Sequence, residues 1–212
     1  MNTDDLISAL VRNAGPAPRA MVARRLAPVM VCGFLVSVAL ATAVLGVAPV
    51  ARAMSVALWM KVIYALCMAA SAAWLAGRLA RPGAEVGRAT AAVALVVIAM
   101  VAAGMTAMLL TNAPSERHAL TFGVSWWFCP WAILALSLPT LGGALWAMKG
   151  MAPTRPGVAG FVAGVLAGAI GALGYAFACI ETSTTFVAIW YTVGILLAGL
   201  VGALFGGRLL RW

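Results

Sequence analysis

Six stretches of this chain are each long and apolar enough to cross a lipid bilayer, and that pattern excludes most architectures. They are Leu26–Ala48, Met54–Ala76, Ala89–Thr111, Trp126–Met148, Gly157–Cys179 and Phe186–Leu209. About 20 consecutive apolar residues span the hydrocarbon core, and each run reaches that length. Inside lipid a lone strand leaves its N–H and C=O groups without partners, so every run is expected to be a helix. The alternation of a β-barrel is absent. Hydrophobic residues make up 65% of the chain and charged residues 9%, against roughly 25% charged in soluble domains. The expected fold class is therefore all-α: a polytopic membrane bundle of six transmembrane helices.

The basic residues set an orientation. With the N-terminus inside, the inner segments carry Arg12, Arg19, Arg24 and Arg25, then Arg78, Arg81 and Arg88, then Lys149 and Arg155, then Arg208 and Arg211. The outer loops carry only Arg52 and Arg117. Positive charge concentrates on the cytoplasmic side of membrane proteins, so both termini are expected in the cytoplasm. Trp126, Trp127 and Trp131, and Trp190 with Tyr191, then fall near the outer interface, where such side chains concentrate. The net charge of +9 follows from these short loops and does not form a nucleic-acid-binding face. No cleavable signal peptide is evident: the first long run follows a tail carrying Asp4 and Asp5. The chain divides into a cytoplasmic tail, 1–25, and a membrane-embedded part, 26–212.

Four cysteines differ in expected depth. Cys32 and Cys67 lie toward the inner side and read as small apolar packers. Cys129 falls in the first turn of the fourth run and Cys179 in the last turn of the fifth, so both sit within about a turn of the outer surface. A disulfide or a free thiol pair is allowed there, given alpha carbons within about 7 Å. Glu181 is in the same bend, and His118, the only histidine, is in the preceding outer loop. With Cys129 and Cys179 they form the candidate ligand set for a transient thiophilic metal. The competing roles are a loop carboxylate capping the sixth helix for Glu181 and a solvated loop residue for His118. Lys61 is an ionisable residue at depth, expected to snorkel outward along its own stem. Pro130 and Pro139 start or kink the fourth helix. Gly160, Gly164 and Gly168, with Gly202 and Gly206, have the spacing that lets helices approach closely; bundle packing and a homodimer face are both served by it.

In the tail, Thr3 can cap a short helix with Asp4 and Asp5 at the positive end of its dipole. Leu6, Ile7, Leu10 and Val11 form an apolar stripe at helical spacing, and Asn13, Gly15 and Pro16 end it. Such a helix suits a partner's groove; lying on the membrane surface or staying unfolded are the plainer alternatives. The chain lacks a phosphate-binding loop and any set of intramembrane carboxylates. The single histidine, His118, belongs to an outer loop, so a Ser-His-Asp constellation inside the membrane is not expected, and neither is an enzyme. No constitutive cofactor is implied. A small heavy-metal transporter, with Cys67 in its inner site, is the alternative reading. A membrane thiol oxidoreductase is a third, without the close Cys-x-x-Cys pair that chemistry favours.

The chain resembles the NrsF-type anti-sigma factors. The resemblance covers nearly the whole length and rests on "TDDLISAL", on the stretch from "CPWAILALSLPTLGG" through "GYAFACIETSTTFVAIWYTVGI", and on the terminal "GRLLRW". Its marks are Cys129 and Cys179, Ser137–Pro139, Ala152 with Pro153, and Trp190 with Tyr191. It implies a bacterial inner-membrane protein that holds an extracytoplasmic-function sigma factor inactive and makes no direct contact with nucleic acid. It further implies that the segment from about Asp4 to Leu10, with Asp5, Leu6 and Ile7, binds that factor at the cytoplasmic face. The two outer cysteines would sense heavy metal or oxidative stress, and the first three helices match the family only in general character.

Overall fold

The computed structural model describes residues 3–13, 21–46, 55–81, 83–151, 153 and 155–211. Arg19, Arg52, the Gly15–Pro16 helix stop and Ala152 lie outside the described residues. Among those described there is no strand. The helices, in chain order, are α1 (Thr3–Asn13), α2 (Met21–Leu45), α3 (Val56–Leu79), α4 (Gly87–Leu110), α5 (Pro114–Phe122), α6 (Cys129–Lys149), α7 (Pro156–Ala176) and α8 (Thr184–Leu209). Six of them, α2 to α4 and α6 to α8, have the length and composition to cross a membrane, at the positions the hydrophobic runs predict.

α7 is the central helix. Of its most apolar window 83% is buried, against 11% for α4 at the periphery. Its glycines explain this, because they face several neighbours at once. A Cβ on Gly168 would stand 2.9 Å from the Ile195 Cα, and one on Gly164 would stand 2.8 Å from the Gly199 Cα, both on α8. Further along, a Cβ on Gly171 would stand 2.8 Å from the Ile133 carbonyl of α6, and Gly174 is pressed against Ser37 of α2. Without side chains at these points three helices reach the backbone of α7, and van der Waals packing replaces the hydrophobic drive that lipid removes. The spaced glycines serve packing within the bundle.

Polar ties add to the packing. The Tyr64 and Thr192 hydroxyls share a hydrogen bond of 2.7 Å that joins α3 to α8, and the Thr185 hydroxyl donates to the Gly104 carbonyl of α4 at 2.9 Å. α8 contains a wide π turn over Val187–Tyr191. Such turns are rare and concentrate at functional sites.

Several local expectations change. α5 is a helix of its own where a plain outer loop is expected, begun by Pro114 in its first turn. α6 begins at Cys129, after turns over 123–128, so Trp126 and Trp127 precede it; Pro130 sits in its first turn and Pro139 inside it. Tyr191 is fully buried and does not belong to an interfacial belt. Cys32 and Cys67 are exposed on the outside of the bundle and do not pack inside it; in lipid a small apolar thiol gains nothing by burial that the acyl chains do not supply. Lys61 is 2% exposed and does not snorkel, because its amine finds a carbonyl within the protein.

A buried thiol pair at one end of the bundle

Two turns carry the site. The first, 123–128, leads into α6. Gly123 there has φ 53°, a left-handed conformation that glycine accepts without strain. The N–H groups of Phe128 and Cys129 both donate to the Ser125 carbonyl, at 3.1 and 2.9 Å, which fixes Cys129 as the opening residue of α6. The second turn leaves α7, where the Cys179 N–H donates to the Tyr175 carbonyl at 2.9 Å. Cys179 therefore lies just beyond the helix rather than in its last turn.

Glu181 clamps the two turns together. One of its carboxylate oxygens accepts from the Val124 N–H at 2.8 Å, the Ser125 N–H at 3.1 Å and the Ser125 hydroxyl at 3.1 Å. The carboxylate thus caps the turn before α6. The cap of α8 is Ser183, whose hydroxyl oxygen accepts from the Phe186 N–H at 3.2 Å and donates to the Leu120 carbonyl at 2.7 Å. The expectation of Glu181 as the α8 cap is corrected by these contacts. Trp190, on the π turn, donates its indole N–H to the Thr121 carbonyl at 2.8 Å and so fixes α5 over the site.

Beneath these turns Cys129 and Cys179 come together. They are 0% and 6% exposed and both are free thiols. The groups whose charge or dipole reaches the Cys129 sulfur are Cys179, Lys61, Tyr175 and Glu181. Tyr175 lies against both thiols and the Ser125 hydroxyl, and its ring meets that of Tyr191 with centroids 5.8 Å apart. The Tyr191 hydroxyl is buried beside Cys179 without closing a hydrogen bond. The Lys61 amine donates to the Cys179 carbonyl at 2.9 Å.

The remaining candidates stand apart. His118 is exposed on α5 and stacks on Phe122, with centroids 4.8 Å apart. Among the described residues no three or more His, Cys, Asp or Glu side chains gather as a metal-binding group. The chemistry available is that of two adjacent buried sulfurs with phenol, amine and hydroxyl neighbours. Two sulfurs can hold a soft ion or lose two electrons to form a disulfide. Sequence reasoning missed Lys61, Tyr175 and Tyr191 as neighbours of the pair; the sign of Lys61 was an ionisable residue within an apolar run.

Ahead of the spans in the chain, Leu6, Ile7 and Leu10 of α1 are exposed, and Asp4 and Asp5 occupy its first turn. The thiols and the start of α2 lie at opposite ends of the bundle: the α6 axis alone carries Cys129 about 30 Å from Lys149, and Lys149 shares a groove with Arg24 of α2.

Fold and site together define a six-span α-helical protein with a buried thiol pair at one end and a short N-terminal helix that exposes Leu6, Ile7 and Leu10. The chain belongs to the NrsF family: the model described as "Negative regulator of sigma F" matches residues 10–212. It is 39% identical over 218 residues to the "Probable anti-sigma-F factor NrsF" of Azospira oryzae, covering all of both chains. It is 38% identical over 214 residues to the "Anti-sigma-F factor NrsF" of Caulobacter vibrioides, again over the full length of both. These relatives are named as regulators and not as enzymes. No solved structure matches the chain.

Proposed function

We propose that this protein is a bacterial inner-membrane anti-sigma factor, with both termini cytoplasmic, that holds an extracytoplasmic-function sigma factor through its N-terminal segment and releases it when its outer cysteines react. The observation that carries the reading is that Cys129 and Cys179 are buried in one core cluster with Tyr175 against both thiols. They close the bundle from two helices, α6 and α7, that pack along most of their length. Capture of a thiophilic ion by both sulfurs, or their oxidation to a disulfide, draws the turn before α6 and the turn after α7 into one unit. The tail 1–25 is the binding segment: Leu6, Ile7 and Leu10 supply an apolar stripe, and Asp4 and Asp5 flank it. The 26–212 region is the sensor.

Moving such a bundle from nearly all one state to nearly all the other takes about 5.5 kcal/mol of differential stabilisation, within reach of a metal–dithiolate bond. Glu181 holds the same two turns and is part of the mechanism without needing to be a ligand. The transporter alternative needs an inner ligand site at Cys67, and Cys67 faces out of the bundle.

The test is copurification from the native host. Full-length protein is compared with a form lacking Met1–Val11, and a sigma factor is expected only with the former. Cadmium or an oxidant is expected to release it from the wild type and to leave it bound to Cys129→Ser/Cys179→Ser. Recovery independent of the tail, or release independent of both cysteines, refutes the assignment.

A further inference from the structure

Beside the tail-side end of the bundle runs a groove that the sensing scheme does not use. It lies between α2 and α6, which run antiparallel. A Cβ on Gly33 would stand 3.0 Å from the Thr140 Cβ, one on Gly143 would stand 2.8 Å from a Val29 methyl, and the Arg25 guanidinium covers Gly150 at the end of α6. Along one side of this seam the helices part and leave a cavity of about 740 Å³. Its mouth is formed by Arg24, Arg25 and Lys149, and among the described residues no Asp or Glu lines it. Its length is apolar, walled by Val29, Val36 and Trp146. From Arg24 to Val36 the groove descends roughly 18 Å at 1.5 Å per residue.

We infer that this groove binds one anionic phospholipid, with the phosphate headgroup at Arg24, Arg25 and Lys149 and an acyl chain along Val29, Val36 and Trp146. Three features select that occupant. Clustered Arg and Lys at a helix end between spans form a site for an anionic headgroup. The groove deepens into a helix of membrane-spanning composition, where an acyl chain is at home and the first-turn carboxylates of α1 are not. Trp146, 79% exposed on the wall, needs an apolar neighbour that the bundle does not provide. The lipid would bridge α2, whose first turn overlaps the tail, and α6, which starts at Cys129, and so would brace the pair of helices that connects the two ends.

The test uses the full chain in phosphatidylcholine vesicles containing about 10 mol% of lipid brominated on its acyl chains, with either a phosphatidylglycerol or a phosphatidylcholine headgroup. The Trp146 signal is taken as the difference between wild type and Trp146→Phe. Three basic groups each favour an anionic headgroup, so the glycerol lipid is expected to occupy the groove about tenfold more strongly, seen as deeper quenching of Trp146. Arg24→Gln/Arg25→Gln/Lys149→Gln is expected to abolish the difference. The charge-conserving Arg24→Lys/Arg25→Lys/Lys149→Arg is expected to keep it, which separates a lost site from a lost fold. Equal quenching by the two lipids in the wild type overturns the inference. So does a headgroup preference that survives neutralisation, since the charge responsible would then lie elsewhere, or one that the charge-conserving variant also loses.

Discussion

Replacing Lys61 by methionine is expected to stabilise the protein. Two effects oppose each other. Methionine cannot donate to the Cys179 carbonyl, which now accepts from Lys61 at 2.9 Å, and a buried acceptor left without a donor costs about 1–3 kcal/mol. Against this, the wild type buries an amine to 2% exposure with a single hydrogen bond. Moving an ammonium from water into a protein interior costs several kcal/mol even after relaxation. Methionine has nearly the same length and flexibility, so no cavity is added. The desolvation penalty is the larger of the two, and Lys61→Met should gain about 1–2 kcal/mol. For a chain of this size that raises the unfolding midpoint by about 2–8 °C. Lys61→Ala, which opens a cavity as well, should fall below Lys61→Met by about 2 kcal/mol or more. Thermal unfolding of the three proteins in one detergent, followed by far-ultraviolet circular dichroism, measures this. A Lys61→Met midpoint at or below that of the wild type refutes the reasoning and shows that the neighbouring thiols and the Cys179 carbonyl compensate its burial. A gain would mark the amine as retained for its position beside the thiols and not for stability.

Further outcomes follow from the same contacts. Glu181→Ala removes three hydrogen bonds from the turn before α6 and should destabilise that turn by about 1–3 kcal/mol; faster amide exchange at Val124 and Ser125 and faster maleimide labelling of Cys129 are the readouts, and unchanged rates would contradict the clamp. Gly164→Val forces a side chain against Ala198 and Gly199 and should lower the unfolding midpoint sharply or prevent accumulation of folded protein. Gly142→Ala, with nothing within 4 Å of the added methyl, should be neutral or gain about 0.5–1 kcal/mol, and the contrast between these two glycine variants tests the packing of α7 on α8. Tyr64→Phe loses the bond to Thr192, but Thr192 still donates to the Ala188 carbonyl at 2.7 Å, so a loss of only about 0.5–1.5 kcal/mol is expected in the same thermal assay.

The spans were legible in the sequence because lipid imposes one rule: an apolar run of sufficient length must close its backbone hydrogen bonds within itself, and only a helix does so. The short helix at Thr3–Asn13 was legible for a related reason, since a local charge pattern and a stripe of apolar residues need no distant partner to be recognised. Depth along each span follows from counting residues, and that placed Cys129 and Cys179 near the same end. What counting does not supply is rotation about a helix axis. Cys32 and Cys67 look outward and Cys129 looks inward, although all lie in apolar surroundings, because in lipid both faces of a helix are equally oily and periodicity is silent. The partners of Lys61, Glu181 and Tyr191 are 118 residues away, 56 and 57 residues away, and in the facing turn of α7. Only the packing of α3, α6 and α8 around α7 brings those groups within hydrogen-bonding or van der Waals reach. The sequence by itself thus determined an all-helical, six-span protein with thiols at one end; the tertiary structure decided that the thiols share one core cluster, that a lysine is buried beside them and that Glu181 clamps the turn before α6, because close packing fixes which faces meet.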